Sequence, residues 1–255
     1  MLILRMSRTA VYTALVLRNH PSGESNCELT LLTAEEGIIR AIVYGGAKSK
    51  LRAHSAPYNS GQVWIYRSAA RDKSRDYAKL SDFDVKSWRP GLRELYDRTM
   101  TAGAIAETIL SSHGGGGEWA EALELAVKTL DALENANEEL CGRLLIHFLW
   151  RWAHLLGIRP YLESCAACSQ AINDSVLFFN AQESHVFCAS CAPENGINNI
   201  KLNPGCRKWL LAAESLEAAQ VYRYSMDNKS FTEAKALVTA VISSAIGKRP
   251  ASWDW

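Results

Sequence analysis

No apolar run in this 255-residue chain approaches the roughly 18 residues that would cross a membrane. The opening MLILRMSRTA has no charged start leading into a long apolar stretch and a cleavage site, so a cytoplasmic location is expected. Also missing is the pattern GxxxxGK(S/T), and with it a P-loop nucleotide site. Neither HExxH nor GxSxG occurs, which removes the usual metalloprotease and hydrolase signatures. The four glycines at 114–117 lead into Glu118 and Trp119, with no lysine to meet a phosphate, and read as a helix connection. The carboxylates between 118 and 139 fall on an exposed helical face, and His147 and His154 read as surface or core residues. No catalytic residue is expected.

Net charge is almost absent as well, with 28 Lys+Arg against 27 Asp+Glu. That balance hides an asymmetry. Residues 1–80 carry 12 basic and 6 acidic side chains, a surplus of +6, and the remainder stands at −5. A basic first part suits a polyanion partner, although an ordinary solvated surface fits the same numbers. Its cations gather after Gly45-Gly46-Ala47, at Lys48, Lys50 and Arg52, and again at Arg67, Arg71, Lys73 and Arg75 between Tyr66 and Tyr77. Together with Arg40 these are the candidate DNA contacts, because cations beside aromatics serve single-stranded nucleic acid through phosphate contacts and base stacking.

The first 80 or so residues read as five short strands, at 11–17, 27–32, 38–44, 62–66 and 77–83, with turns at 20–23 and 33–37. Five strands in that length suit a small closed barrel of the OB type. After Lys86-Ser87-Trp88-Arg89-Pro90 the apolar spacing becomes helical. Leu92 to Ile109, Trp119 to Leu130 and Cys141 to Leu155 mark three helices, the third stopping at Gly157. A fourth is expected from Asn203-Pro204 to about Ala219, and a fifth behind a capping box of Ser230 and Glu233. The fold class is thus α+β and multidomain: an OB barrel over 1–85 and a helical domain over 86–255, with a cysteine module at about 161–195.

Seven cysteines are present. Cys27, Cys141 and Cys206 stand alone and read as small core residues. Cys165-Ala166-Ala167-Cys168 and Cys188-Ala189-Ser190-Cys191 form two CxxC pairs. Two such turns offer four thiolates and no open position, the mark of one structural zinc ion. A redox pair, an iron–sulfur cluster and four unrelated core cysteines are the other readings, and His185 lies close enough in sequence to replace a cysteine. Strands on either side of 180–184 would make the module a short β-ribbon.

Several stretches, in this order, resemble the bacterial DNA repair protein RecO family. They are Leu31-Leu32-Thr33-Ala34-Glu35-Glu36-Gly37, Tyr44-Gly45-Gly46-Ala47-Lys48, Pro57-Tyr58, Leu155-Leu156-Gly157-Ile158-Arg159-Pro160 and the two cysteine pairs. The resemblance covers about residues 10–195. It implies a recombination mediator that binds single- and double-stranded DNA and anneals complementary strands, with no catalysis of its own. It further implies a nucleoid-associated protein whose partners are RecR and single-stranded DNA-binding protein, and RecA indirectly, with no membrane involved. An acidic tail on such a partner needs a basic, apolar pocket, for which Arg143 and Arg151 beside Trp152 are the candidates. A zinc-supported nucleic-acid enzyme and a pure interaction scaffold remain the alternative functions. The ending Trp253-Asp254-Trp255 has no counterpart in the family and is expected to pack on the helical domain.

Overall fold

Period-two alternation builds five strands from the first part of the chain. In the computed structural model, which describes residues 9–45, 49–67, 78–173, 175–192, 199–247 and 250–253, they are β1 (Thr9–Ser22), β2 (Asn26–Thr33), β3 (Gly37–Val43), β4 (Ser60–Tyr66) and β5 (Ala78–Ser87). Tyr12, Leu29, Leu31, Ala41, Val63, Ile65, Leu80 and Phe83 turn inward and make a continuous core. The residues between them, among them Arg18, Arg40, Gln62 and Lys79, turn outward, as the two-residue repeat of a strand requires.

The strand order is β1-β2-β3-β5-β4, closed by β4 on β1. Every pairing is antiparallel except β3 with β5, which gives the OB barrel expected from the sequence. Register shifts between Val16 and Arg18 and between Ser60 and Gly61 bend the strands where the barrel turns its corners. At Gly61 the strands come so close that an added Cβ would lie 2.1 Å from the Asp84 carbonyl oxygen. A five-residue helix that the sequence did not announce, α1 (Lys50–His54), follows β3. His54 Nδ1 donates to the Phe83 carbonyl at 2.8 Å and ties this helix to β5.

The chain divides into two compact units, residues 1–90 with 117–127 and residues 91–116 with 128–255. The first unit therefore takes the start of α3 (Trp119–Leu133) as well as the barrel. Within it, Trp119 covers Gly37 so closely that a Cβ there would meet the indole at 2.8 Å.

The second unit is built around α4 (Glu138–Leu155), apolar on nearly every side. Leu144, Ile146, Phe148, Leu149, Trp150 and Trp152 are all fully buried. A helix apolar all round belongs at the centre. Against it lie α2 (Tyr96–Ser111), α5 (Pro204–Ala213) and α6 (Asn228–Ile246). Helix α5 stops at Ala213, short of the expected Ala219, and a separate 3₁₀ turn spans Ala218–Arg223. The expected capping box also needs correction. Asp227, not Ser230, caps α6, accepting from the Ser230 amide at 2.9 Å. Glu233 reaches back instead to the amide of Asn203 at 2.6 Å, and Asn203 caps α5 through the Cys206 amide. The lone cysteines Cys27, Cys141 and Cys206 are all buried, and burial pushes the Cys141 thiol up to about 11 and that of Cys206 to about 12. Trp253 is buried on this unit, with the amides of Ala251 and Ser252 donating to the Glu107 carboxylate.

His147 is a core residue, its Nε2 donating to the Leu216 carbonyl at 2.7 Å. Burial holds its pKa down at about 4, below the usual 6.5. The unfolded chain therefore binds this proton more readily than the folded one, so stability falls as pH drops from about 6.5 towards 4 and is flat above that window. Chemical denaturation at stepped pH is expected to show this slope, and His147→Gln is expected to flatten it.

Candidate nucleic-acid interface and metal centre

The cysteine module lies between α4 and α5. Strand β6 (Leu177–Asn180) pairs antiparallel with β7 (His185–Cys188) on one side and β8 (Asn199–Leu202) on the other. The first two strands are the ribbon read from the sequence, and the third was not anticipated. Cys188 ends β7, and the Cys191 amide folds back on the Cys188 carbonyl at 3.1 Å. On the facing turn the Ser169 amide donates to the Cys165 carbonyl at 2.9 Å. These two turns bring all four sulfurs within 4.8 Å of one another.

That geometry fits one metal ion. The Cys168 and Cys188 sulfurs are 3.9 Å apart. Tetrahedral bonds of about 2.3 Å would put the sulfurs roughly 3.8 Å apart. Burial works against the Cys165 thiolate, yet the amides of Cys188, Cys168 and Ala167 outweigh it and hold that thiol down at about 6. Hydrogen bonds with Cys188 and Cys168 push Cys191 up to about 12. Four sulfurs this close can all be thiolates only around a cation. His185 is exposed, bonds to the Glu183 carbonyl, and stands outside the cluster.

The candidate DNA contacts fall on the barrel unit. Arg40 projects from β3, and Lys50 and Arg52 are exposed on α1. Arg67, at the end of β4, is drawn into an ion pair with Glu36, and that arginine holds the Glu36 carboxyl below its usual range. Glu36 also accepts from the Tyr12 hydroxyl at 2.7 Å. Lys48, Arg71, Lys73 and Arg75 lie outside the described residues. Three outward-facing side chains escaped the sequence reading: Arg18, His20 and Lys79. The period-two pattern of β1 and β5 places them on the outer face, and that was the available signal.

A family model described as the C-terminal part of recombination protein O matches residues 93–254, and one described as its N-terminal part matches residues 6–79. The chain belongs to the RecO family. Among curated relatives, the DNA repair protein RecO of Anaeromyxobacter dehalogenans is 28% identical over 247 residues, 95% of this chain and 94% of that protein. The RecO protein of Dehalococcoides mccartyi is 24% identical over 249 residues, 95% and 92%. That of an Exiguobacterium species is 28% identical over 240 residues, 93% and 91%. The two RecO matches together span both the barrel and the helical part.

In this RecO chain the two arginines proposed for an acidic tail have different surroundings. Arg143 is buried, with one terminal nitrogen donating to the Tyr224 carbonyl at 2.6 Å and the other 3.5 Å from Glu139. Among the described residues its Nε has no hydrogen-bond partner. It lines a cavity of about 330 Å³ with Met100, Met226 and Phe231, rimmed by Asp97, Glu138 and Glu139. Arg151 is not part of that lining and reaches the Leu216 carbonyl at 3.4 Å. No described helix is long and apolar enough to cross a membrane.

Proposed function

We propose that this protein is a recombination mediator without catalytic chemistry, acting in the cytoplasm beside the nucleoid. Its barrel binds single- and double-stranded DNA through phosphates and anneals complementary strands. Together with RecR it helps RecA replace single-stranded DNA-binding protein on the strand. The observation that carries this reading is the exposed set of cations on the OB unit, at Arg40, Lys50 and Arg52, in a chain of the RecO family. Annealing brings two polyanions together, and a cationic surface lowers their repulsion. The remaining contacts are assigned to Lys48, Arg67, Arg71, Lys73 and Arg75. We assign one structural zinc ion to Cys165, Cys168, Cys188 and Cys191, holding the segment between α4 and α5. The acidic tail of single-stranded DNA-binding protein is assigned to the Arg143 cavity. Arg143 supplies the positive charge and the Met100, Met226 and Phe231 side chains meet an apolar residue, with Arg151 about two turns further along α4.

A salt titration of oligonucleotide binding, followed by fluorescence anisotropy, tests the DNA reading. Log affinity is expected to fall with log salt at a slope of about −0.7 per phosphate contact on single strands. Several contacts should make the fall steep, and mixing complementary strands should accelerate pairing. A flat dependence, or no binding at low salt, would sink the mediator reading. Strand cleavage in magnesium would favour a nuclease.

A further inference from the structure

The outer face of the barrel is not a uniform polar surface. Register places Arg18 opposite Thr30 and Thr30 opposite Arg40, so two arginines flank a threonine across β1, β2 and β3. His20 stands opposite Glu28 in the next outward row. These five residues line a shallow cavity of about 230 Å³ in which Glu28 is the sole carboxylate. The second row continues round the barrel, with Glu28 opposite Ile42, Ile42 opposite Lys79 and Lys79 opposite Tyr66.

One outward step beyond Ile42 is Tyr44, 52% exposed. Lys79 Nζ lies 5.8 Å from the centre of its ring. A cation lies against the ring, and about half of the residue faces solvent. Arg40 lies on β3 and Tyr44 just past its end, four residues on, about 13 Å along an extended chain. A phosphate-sized anion site and a flat π face therefore share one surface at a separation of a few nucleotides.

Single strands and duplexes meet such a surface differently. Both offer phosphates, but only a single strand has bases free to leave their stack and lie on an aromatic ring. We propose that this face is a single-strand-selective site, with phosphate held in the notch of Arg18, Thr30 and Arg40 and a base stacked on Tyr44. Lys79 fixes the ring and neutralises a neighbouring phosphate. The inference rests on the DNA-binding reading above and adds a feature that phosphate contacts alone do not provide.

The test uses the full chain, an oligothymidylate and a duplex of equal phosphate number at matched salt. Tyr44→Ala is expected to weaken oligothymidylate binding roughly tenfold while leaving duplex affinity and the salt slope unchanged. Tyr44→Phe keeps the π face and is expected to bind as the unchanged protein does. Tyr44→Leu keeps apolar bulk without it and is expected to match the alanine variant. Replacing Arg18 and Arg40 with alanine is expected to weaken both ligands and to reduce the single-strand slope by about 0.7 per arginine. Equal loss on both ligands in Tyr44→Ala, or no loss on either, overturns the stacking site while leaving general DNA binding intact. Failure of the unchanged protein to bind either ligand is the separate failure of the DNA-binding reading. Capture of an acidic peptide that needs Arg18 and Arg40, without preference for single strands, would overturn it in favour of a protein partner.

Discussion

Cys165→Ser is expected to release the metal and to lower the melting temperature of the helical unit more than any other single side-chain exchange in the cysteine module. Cys165 is the most buried of the four cysteines, 1% exposed, and its sulfur accepts the Cys188 amide across the module at 3.3 Å. Three strands of four residues make up the sheet, and its apolar interior is little more than Leu177, Phe179, Val186, Phe187 and Leu202. So small a sheet is marginal alone. In zinc-finger peptides metal binding supplies on the order of 10 kcal/mol of apparent folding energy. Losing one thiolate of a closed set forfeits most of it and leaves three crowded sulfurs that must take up protons. Elemental mass spectrometry should find one zinc per chain in the unchanged protein and none in the variant. Strong chelation should reproduce the drop in melting temperature. A metal-free variant that melts with the unchanged protein would remove the structural role, and strong visible absorption in the unchanged protein would assign an iron–sulfur cluster instead.

Gly61→Ala is expected to unfold the barrel at temperatures the unchanged protein tolerates. The new methyl group would meet the Asp84 carbonyl oxygen at 2.1 Å and the Lys86 nitrogen at 2.9 Å. Both are backbone atoms of β5, so no side chain can swing aside. Relief requires β4 and β5 to part at the register shift where they cross, breaking ladder hydrogen bonds in a closed barrel. Overpacking usually costs about 1–3 kcal/mol, and a clash with backbone belongs at or beyond the upper end. Against a total stability of about 5–15 kcal/mol, that is a large fraction. Denaturant titration followed by tryptophan fluorescence measures it, with exposed Gln62→Ala as the neighbouring control. A shift no larger than that of the control would show that the strands yield easily here.

Much of this architecture was legible because it is local. Alternation along β2 and β3 marks the strands and their faces, and the apolar spacing of α4 marks a central helix. CxxC spacing announced that these four cysteines gather at one place. What escaped notice depends on partners remote in sequence. The parallel pairing of β3 with β5, through Ala41 and Ala78, leaves no trace in either strand. Four-residue β8 is too short for periodicity and exists because β6 offers a free edge. Ser230 and Glu233 have the spacing of a capping box, but Asp227 lies three residues earlier and Glu233 has the Asn203 amide within reach. Among the candidate contacts, the sequence shows Arg67 only as a cation, and the fold alone brings Glu36 to it. Arg143 is legible in the sequence as a cation on an apolar helix beside Trp152, but only the fold shows how far α4 buries its guanidinium. Tyr44 and Lys79 become neighbours only through the parallel pairing of β3 with β5.

The composition of the first unit has a consequence for synthesis on the ribosome. All five strands have emerged once residue 87 is clear, yet the unit still lacks residues 117–127, including the indole that lies on Gly37. At about 5–20 residues per second, those last residues follow roughly 2–8 s later. During that interval the nascent barrel stands with Gly37 uncovered, and α2, which belongs to the other unit, is made before the first is complete. A chain released at Pro90 would hold every strand of the barrel and still lack part of the unit that the barrel belongs to.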